Sequence, residues 1–181
     1  HRYGDLQDEP LHINRMCLNG VVWPDLTPKP GALEIAKVQA PVAFGVDSPD
    51  ALRAGRVRVL NRYLALGLDH LDLDWTLTEN GRVLQSGRLP LPALPASDGL
   101  PPGLTQTGPA TAELNIPFAL PPTLRLDAEY ALNLTALLNT DQPWAQRGHP
   151  IAWEQFAIPP ATAVPRPVAL PPAPAPTLRE T

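Results

Sequence analysis

The stretch LDLDWTLTENGRVL, residues 71–84, constrains this chain more than any other. Leu71, Leu73, Trp75 and Leu77 alternate with Asp72, Asp74, Thr76 and Thr78, and successive side chains of a strand point to opposite faces. One face therefore belongs in a core and the other in water. Glu79-Asn80-Gly81-Arg82 comes next, in which Asn-Gly supplies the positive φ values that a tight type I′ turn needs. Val83 and Leu84 open a returning strand, so the stretch is a β-hairpin. Asp72 and Asp74 share the wet face and read as surface charges rather than a catalytic carboxylate pair.

Further strands are expected at RVRVLNRY (56–63), AELNIPF (112–118), YALNLTALL (130–138) and IAWEQFAI (151–158), each bounded by Pro, Gly, Asp or Asn. Six or seven short antiparallel strands without intervening helices predict a mainly β fold, an immunoglobulin-like antiparallel β-sandwich. Residues 89–108 carry Pro90, Pro92, Pro95, Pro101 and Pro102 with three glycines. Proline cannot donate into the middle of a sheet, so this segment is expected as a surface excursion between strands.

The two ends read differently. In MCLNGVVWPDLTPKPGALEIAKV, residues 16–38, Met16 to Val22 has the character of a buried strand end and Gly20 breaks it. Pro24, Pro28 and Pro30 come after, and Gly31 releases a helix-like run from Ala32 to Val38. Strand, loop and helix in that order close an α/β unit. At the other end, eight prolines fall between Pro159 and Pro176, with Arg166 as the only charge. This composition describes a semi-extended polyproline linker; a docking site for a proline-reading domain is the sharper alternative, and spacers are commoner. A first residue that is His1 rather than Met, and a last one inside a linker, lead to the expectation that both ends are cut from something longer.

Composition narrows the function classes. With 181 residues the chain suits one domain plus attachments. A net charge of -4 and a pI of about 5.5, with Arg and Lys scattered singly, leave no basic stripe for a phosphate backbone, so nucleic acid is excluded as a partner. The single cysteine, Cys17, reads as a small buried apolar residue. No apolar run approaches the roughly 20 residues that span a bilayer, and HRYGDLQDE is no signal peptide, so no membrane partner and a cytoplasmic location are expected.

Recognisable chemistry is sparse. His1, His12, His70 and His149 lie far apart without metal-ligand spacing, and no nucleophile motif or phosphate-cradling glycine loop occurs. Asp5, Asp8 and Glu9 could hold a cation or be solvated, and solvation is the better reading. Asn133-Leu134-Thr135 matches a glycan sequon inside an expected strand and is discounted. Trp144 and Trp153, with His149 between them, allow a sugar platform or core and corner positions; the expected strand favours the core.

Three collinear motifs carry a resemblance. Tyr3-Gly4-Asp5, then Met16-Cys17-Leu18-Asn19-Gly20-Val21-Val22 and Asp25-Leu26-Thr27-Pro28-Lys29-Pro30 form the first. Asn61-x-Tyr63, Trp75-x-Leu77-x-x-Asn80-Gly81 and Gly87 form the second. Trp144-Ala145-Gln146-Arg147-Gly148-His149 with Ala152-Trp153-Glu154-Gln155 forms the third. Together, over residues 3–158, they resemble β-galactosidases of glycoside hydrolase family 2, where the catalytic barrel joins the following immunoglobulin-like domain.

The resemblance implies three parts: residues 1–37 as the last loop and helix of a (β/α)8 barrel, 38–158 as the sandwich, and 159–181 as the linker to a following domain. It implies a parent enzyme that hydrolyses terminal β-D-galactosides such as lactose with retention, through two glutamates that lie upstream of this chain. The chain alone is then inactive and structural. It further implies a sodium site at the barrel mouth, with Asn19 offering a side-chain oxygen and Met16 a main-chain carbonyl, and with the cation also meeting a hydroxyl of the bound galactosyl group. Asn19 would thus also serve substrate binding; read without the flanking motif it is a turn residue before Gly20. Magnesium belongs to the parent and not to this segment. The implied partners are the rest of the parent chain, which a homo-oligomer would suit, and a galactoside. The competing readings are a non-catalytic immunoglobulin-like carbohydrate-binding or adhesion module, and another family 2 hydrolase such as a β-glucuronidase or β-mannosidase.

Overall fold

A computed structural model of the chain describes residues 20–23, 25–96 and 110–159. Over these residues the fold is an antiparallel β-sandwich of immunoglobulin-like class. One sheet has three strands in the order β1 (Val42–Gly45), β2 (Arg56–Asn61), β5 (Thr111–Asn115). The other has four, in the order β4 (Arg82–Pro90), β3 (Leu71–Glu79), β6 (Tyr130–Leu138), β7 (Pro150–Ile158). Helix α1 (Pro30–Val38) precedes the strands, and a short helix α2 (Pro49–Arg53) joins β1 to β2.

The expected hairpin is present. Asn80 and Gly81 take φ of 48° and 78°, the left-handed pair of a type I′ turn, which glycine and asparagine tolerate because little side chain meets the backbone. The register slips by one residue between Leu77 and Thr78, so Leu77 faces Gln85 while Thr78 faces Val83, and Leu84 is the extra residue of a bulge. Strands β3 and β6 form the centre of their sheet. Leu71, Leu73, Trp75 and Leu77 lie opposite Leu138, Ala136, Leu134 and Leu132, and all eight are buried. Val42, Phe44, Val57, Val59 and Leu114 of the other sheet complete one core with them. Period-two alternation on facing sheets thus makes a single apolar layer, each fully buried leucine contributing about 1.5–3 kcal/mol of transfer free energy.

Some elements differ from expectation. Strand β1 has only four residues, too few for alternation to stand out, and α2 has five. Helix α2 nevertheless carries a local signal in Ser48-Pro49-Asp50: the Ser48 hydroxyl accepts from the Ala51 N–H at 3.1 Å, and Pro49 occupies the first turn, where a missing N–H costs nothing. The segment after β4 begins as core rather than surface, since Leu91 is buried and Leu94 packs against the core. Pro90 is tolerated at the end of β4 because β4 is an edge strand. Buried Asn61 pins this segment: its Nδ2 donates to the carbonyls of Leu66 (2.8 Å), Leu94 (3.1 Å) and Pro95 (2.8 Å), and its Oδ1 accepts from the Tyr63 N–H (2.9 Å). All of its hydrogen-bonding capacity but one lone pair is used, which is what lets a fully buried amide be tolerated.

Candidate functional site

The first candidate region is the segment leading into the sandwich. Asn19 and Met16, the two residues assigned to sodium, and Cys17 lie outside the described residues. So do Asp5, Asp8 and Glu9. The stretch that begins at Gly20 is described, and it is not a buried strand end. Val22 makes an isolated antiparallel bridge with Pro28, and Val21 and Val22 are exposed. The chain turns back tightly: Trp23 donates to Thr27 O at 2.8 Å and Leu26 to Trp23 O at 2.9 Å, which holds Leu26 at φ 70° with its side chain in solvent. The Thr27 N–H donates to Asp25 Oδ1 at 2.9 Å and lowers the pKa of that carboxyl. Lys29 lies 4.6 Å from the Trp23 ring centroid, within cation–π reach.

Helix α1 then runs from Pro30, two residues earlier than the glycine-released run, because proline suits the first turn. None of its residues is buried, and Leu33 and Val38 are largely exposed. Its polar tie to the sandwich is Lys37, whose ammonium pairs with Glu154 at 2.8 Å and also donates to the Trp153 carbonyl on β7. Around this tie lies an open cleft of about 390 Å³ walled by α1, β1 and β7, with Glu34, Lys37, Arg62 and Glu154 at its rim.

The second candidate is the aromatic motif near the C-terminus, where the expected core positions are corrected. Trp144 is 64% exposed, on the turn between β6 and β7, and Trp153 is 37% exposed. The reason is register. Ala152 lies opposite Ala136 and both are buried, so the next residue, Trp153, must point away from the core. The turn carrying Trp144 is held by Arg147 N–H to Asp141 Oδ1 (2.8 Å) and Gly148 N–H to Leu138 O (2.8 Å), with Gly148 at φ 87°. The His149 ring packs edge-on to Trp144 at 5.5 Å.

The third region is the outer face of the four-stranded sheet, where sequence reasoning considered Asp72, Asp74, Asn133 and Trp153 separately and did not join them. Two rows of outward-facing residues cross the whole sheet in register. One is Arg88, Asp74, Thr135, Trp153, and the other is Ser86, Thr76, Asn133, Gln155. Asp74 is half-buried and bound by Arg88 through one guanidinium edge, Nε to Oδ1 and Nη2 to Oδ2, the latter at 2.8 Å, which raises the Arg88 pKa. In the second row Asn133 Nδ2 donates to Thr76 Oγ1 at 3.2 Å, and Gln155 Nε2 donates to Asn133 Oδ1 at 2.6 Å. Asn133 is thus half-buried and engaged across three strands, which agrees with discounting its sequon. The alternation of β6 and β7 was enough to place these residues on one face; their neighbours across strands were not readable before pairing was known. Among the described residues no group of three or more His, Cys, Asp or Glu could hold a metal ion.

A three-plus-four antiparallel sandwich with a helix tied to its edge strand defines an immunoglobulin-like domain. Residues 57–159 match the β-galactosidase domain 4 family, from the start of β2 to just beyond β7. The chain belongs to that family. Similar curated proteins include a β-galactosidase of Photobacterium profundum, 30% identical over 86% of this chain and 14% of its own length. Another, of Priestia megaterium, is 31% identical over 94% of this chain and 15% of its own, and one of Klebsiella pneumoniae is 33% identical over 97% and 15%. The chain therefore spans about one seventh of the length of the curated relatives it matches.

Proposed function

We propose that this chain works as part of a β-galactosidase that releases terminal β-D-galactose residues with retention, and that its own contribution is structural. The observation that carries the reading is the match of residues 57–159 to the fourth domain of β-galactosidases, supported by relatives of that name at about 30% identity. The exposed apolar surface of Val21, Val22, Trp23, Leu26, Leu33, Ile35 and Val38 supports a second part of it. So large a run of apolar side chains before the sandwich suits a surface that packs on the preceding part of a longer chain.

In this reading the two glutamates that carry acid/base and nucleophilic roles belong to the parent outside these 181 residues. Asn19 and the Met16 carbonyl supply neutral oxygen ligands to sodium, as a hard cation prefers, and the flanking resemblance is what supports that assignment. The test is to assay the full-length parent and this chain separately on a chromogenic β-galactoside and to follow the anomer released by NMR. The parent should turn over with the β-anomer formed first, and the purified chain should show none. Turnover by the chain, an α-anomer first, or a parent inactive on galactosides would each count against the reading.

A further inference from the structure

We infer that the outer face of the four-stranded sheet is a binding face for a neutral oligosaccharide, separate from the reacting centre that the parent would hold. Eight outward side chains lie in two cross-strand rows, from Arg88 and Ser86 on β4 to Trp153 and Gln155 on β7. At about 4.8 Å between neighbouring strands, the rows extend about 14 Å, a span suited to linked pyranose rings rather than one.

The chemistry of the face selects the ligand class. The two rows carry no net charge, because Asp74 and Arg88 bind each other at 2.8 Å, and Asp72 beside them on the same face of β3 turns away an anionic ligand. The remaining groups are hydroxyls and amides: Ser86, Thr76, Thr135, Asn133 and Gln155. Ser86, Thr76, Thr135 and Gln155 carry hydrogen-bonding capacity beyond the bonds made between them, whereas the Asn133 N–H groups are used on Thr76 and Thr78; sugar hydroxyls, being both donor and acceptor, can match what is left. Covering the face with an apolar protein surface would instead bury these groups against nothing that bonds them, at a cost for each.

Trp153 supplies what the polar groups lack. It ends one row on edge strand β7, 37% exposed, and it lies directly opposite Thr135. An indole face there suits the C–H face of a pyranose while the hydroxyl edge meets Thr135 and Gln155. At the other end of the rows a shallow depression of about 310 Å³, bordered by Asp74, Thr76, Ser86 and Arg88, gives relief to the sheet surface.

The inference rests on the β-galactosidase reading only in the choice of galactosides as first probe. The 181-residue chain is titrated with β-galacto-oligosaccharides and, in parallel, with cello-oligosaccharides, while the indole N–H resonances are followed by NMR. One indole, assigned to Trp153 by its loss in Trp153→Ala, should shift saturably at millimolar sugar. Trp153→Ala and Gln155→Ala should each weaken binding about tenfold or more, Trp153→Phe should retain most of it, and Trp144→Ala should leave it unchanged. Circular dichroism and thermal melts of each variant separate lost binding from lost fold; with Trp153 outside the core, its variants should melt as the parent chain does. Binding of cello-oligosaccharides alone through Trp153 would support the face while counting against the galactoside reading. No saturable shift with either series, or binding that survives Trp153→Ala, would overturn the inference, as would a dimer that shields Trp153.

Discussion

Trp75 and Gly87 face each other across strands β3 and β4 so closely that a Cβ on residue 87 would lie 2.8 Å from the indole Nε1, Cε2 and Cζ2. The indole thus occupies the space a side chain would otherwise fill, and it also packs at 6.4 Å from Phe118. Its Nε1 is buried and finds no hydrogen-bond partner among the described residues. Gly87→Ala should therefore force the indole or the edge strand to move. We expect a loss of about 1–3 kcal/mol in urea unfolding with an unchanged m-value. An unaltered midpoint would show that the sheet edge yields freely.

Asn61 tests how much one buried amide contributes. Asn61→Leu fills similar volume but leaves the carbonyls of Leu66 and Pro95 without this donor, and that of Leu94 with only the Leu68 N–H. Unsatisfied buried acceptors cost about 1–3 kcal/mol each, partly relieved by water, so a total loss of about 2–4 kcal/mol is expected. Asn61→Asp should be comparably harmful, because a carboxylate cannot donate to three carbonyls. Thermal unfolding of the two variants checks both statements.

The tie between Lys37 and Glu154 should matter locally rather than globally. Each side chain is 33% exposed, so the pair contributes less than about 1 kcal/mol to overall stability after solvent screening. It is nonetheless the polar anchor of α1, which buries none of its residues here. Lys37→Met should leave the melting temperature within a few degrees, while hydrogen exchange of Ile35, Ala36 and Lys37 amides accelerates several-fold. Equal protection of α1 in wild type and variant would show that other contacts hold the helix.

Tyr130 makes a pH prediction with a definite sign. Its hydroxyl donates to Glu79 Oε1 at 2.6 Å, and that hydrogen bond, before any effect of burial, raises the phenol above its ordinary value of 10.0. A phenol whose folded pKa is raised contributes stability that is complete below the unfolded value and is lost as pH climbs through the folded one. The sandwich should therefore weaken above about pH 10, and Tyr130→Phe should flatten that part of the curve. Tyr63 is raised as well, by burial, so the ultraviolet titration should show two late phenols in the wild type and one in Tyr130→Phe. A Tyr130 signal titrating at the ordinary value would refute the assignment.

Asn19 is tested in the full-length parent. Loss of one of few oxygens around a weakly held cation should move sodium stimulation of Asn19→Ala to higher concentration. Substrate affinity should fall with it, by a coupling of about 1–3 kcal/mol that is reciprocal between the two ligands. Met16→Leu keeps its main-chain carbonyl and should change little. Sodium titrations at several substrate concentrations provide the readout, and an unchanged sodium dependence in a folded Asn19→Ala enzyme would leave Asn19 as a turn residue.

Period-two alternation and Asn80-Gly81 were sufficient to predict the β3–β4 hairpin, and the expected boundaries of β6 coincide with those observed. These features are local, set by side-chain alternation and by backbone tolerance of positive φ, so they survive without knowledge of neighbours. The family was likewise legible, because its motifs are contiguous in the chain. Strand β1 was not, since Val42–Gly45 gains its place by pairing with Leu60 and Asn61 rather than by any pattern of its own. Trp153 shows the limit most clearly. An aromatic residue in a strand is compatible with either face, and only the pairing of Ala152 with Ala136 turned the indole outward, beside Thr135, where it ends a polar row instead of filling the core. Side-chain type determined what each strand could bury; inter-strand register, a relation between residues far apart in sequence, decided what it did bury.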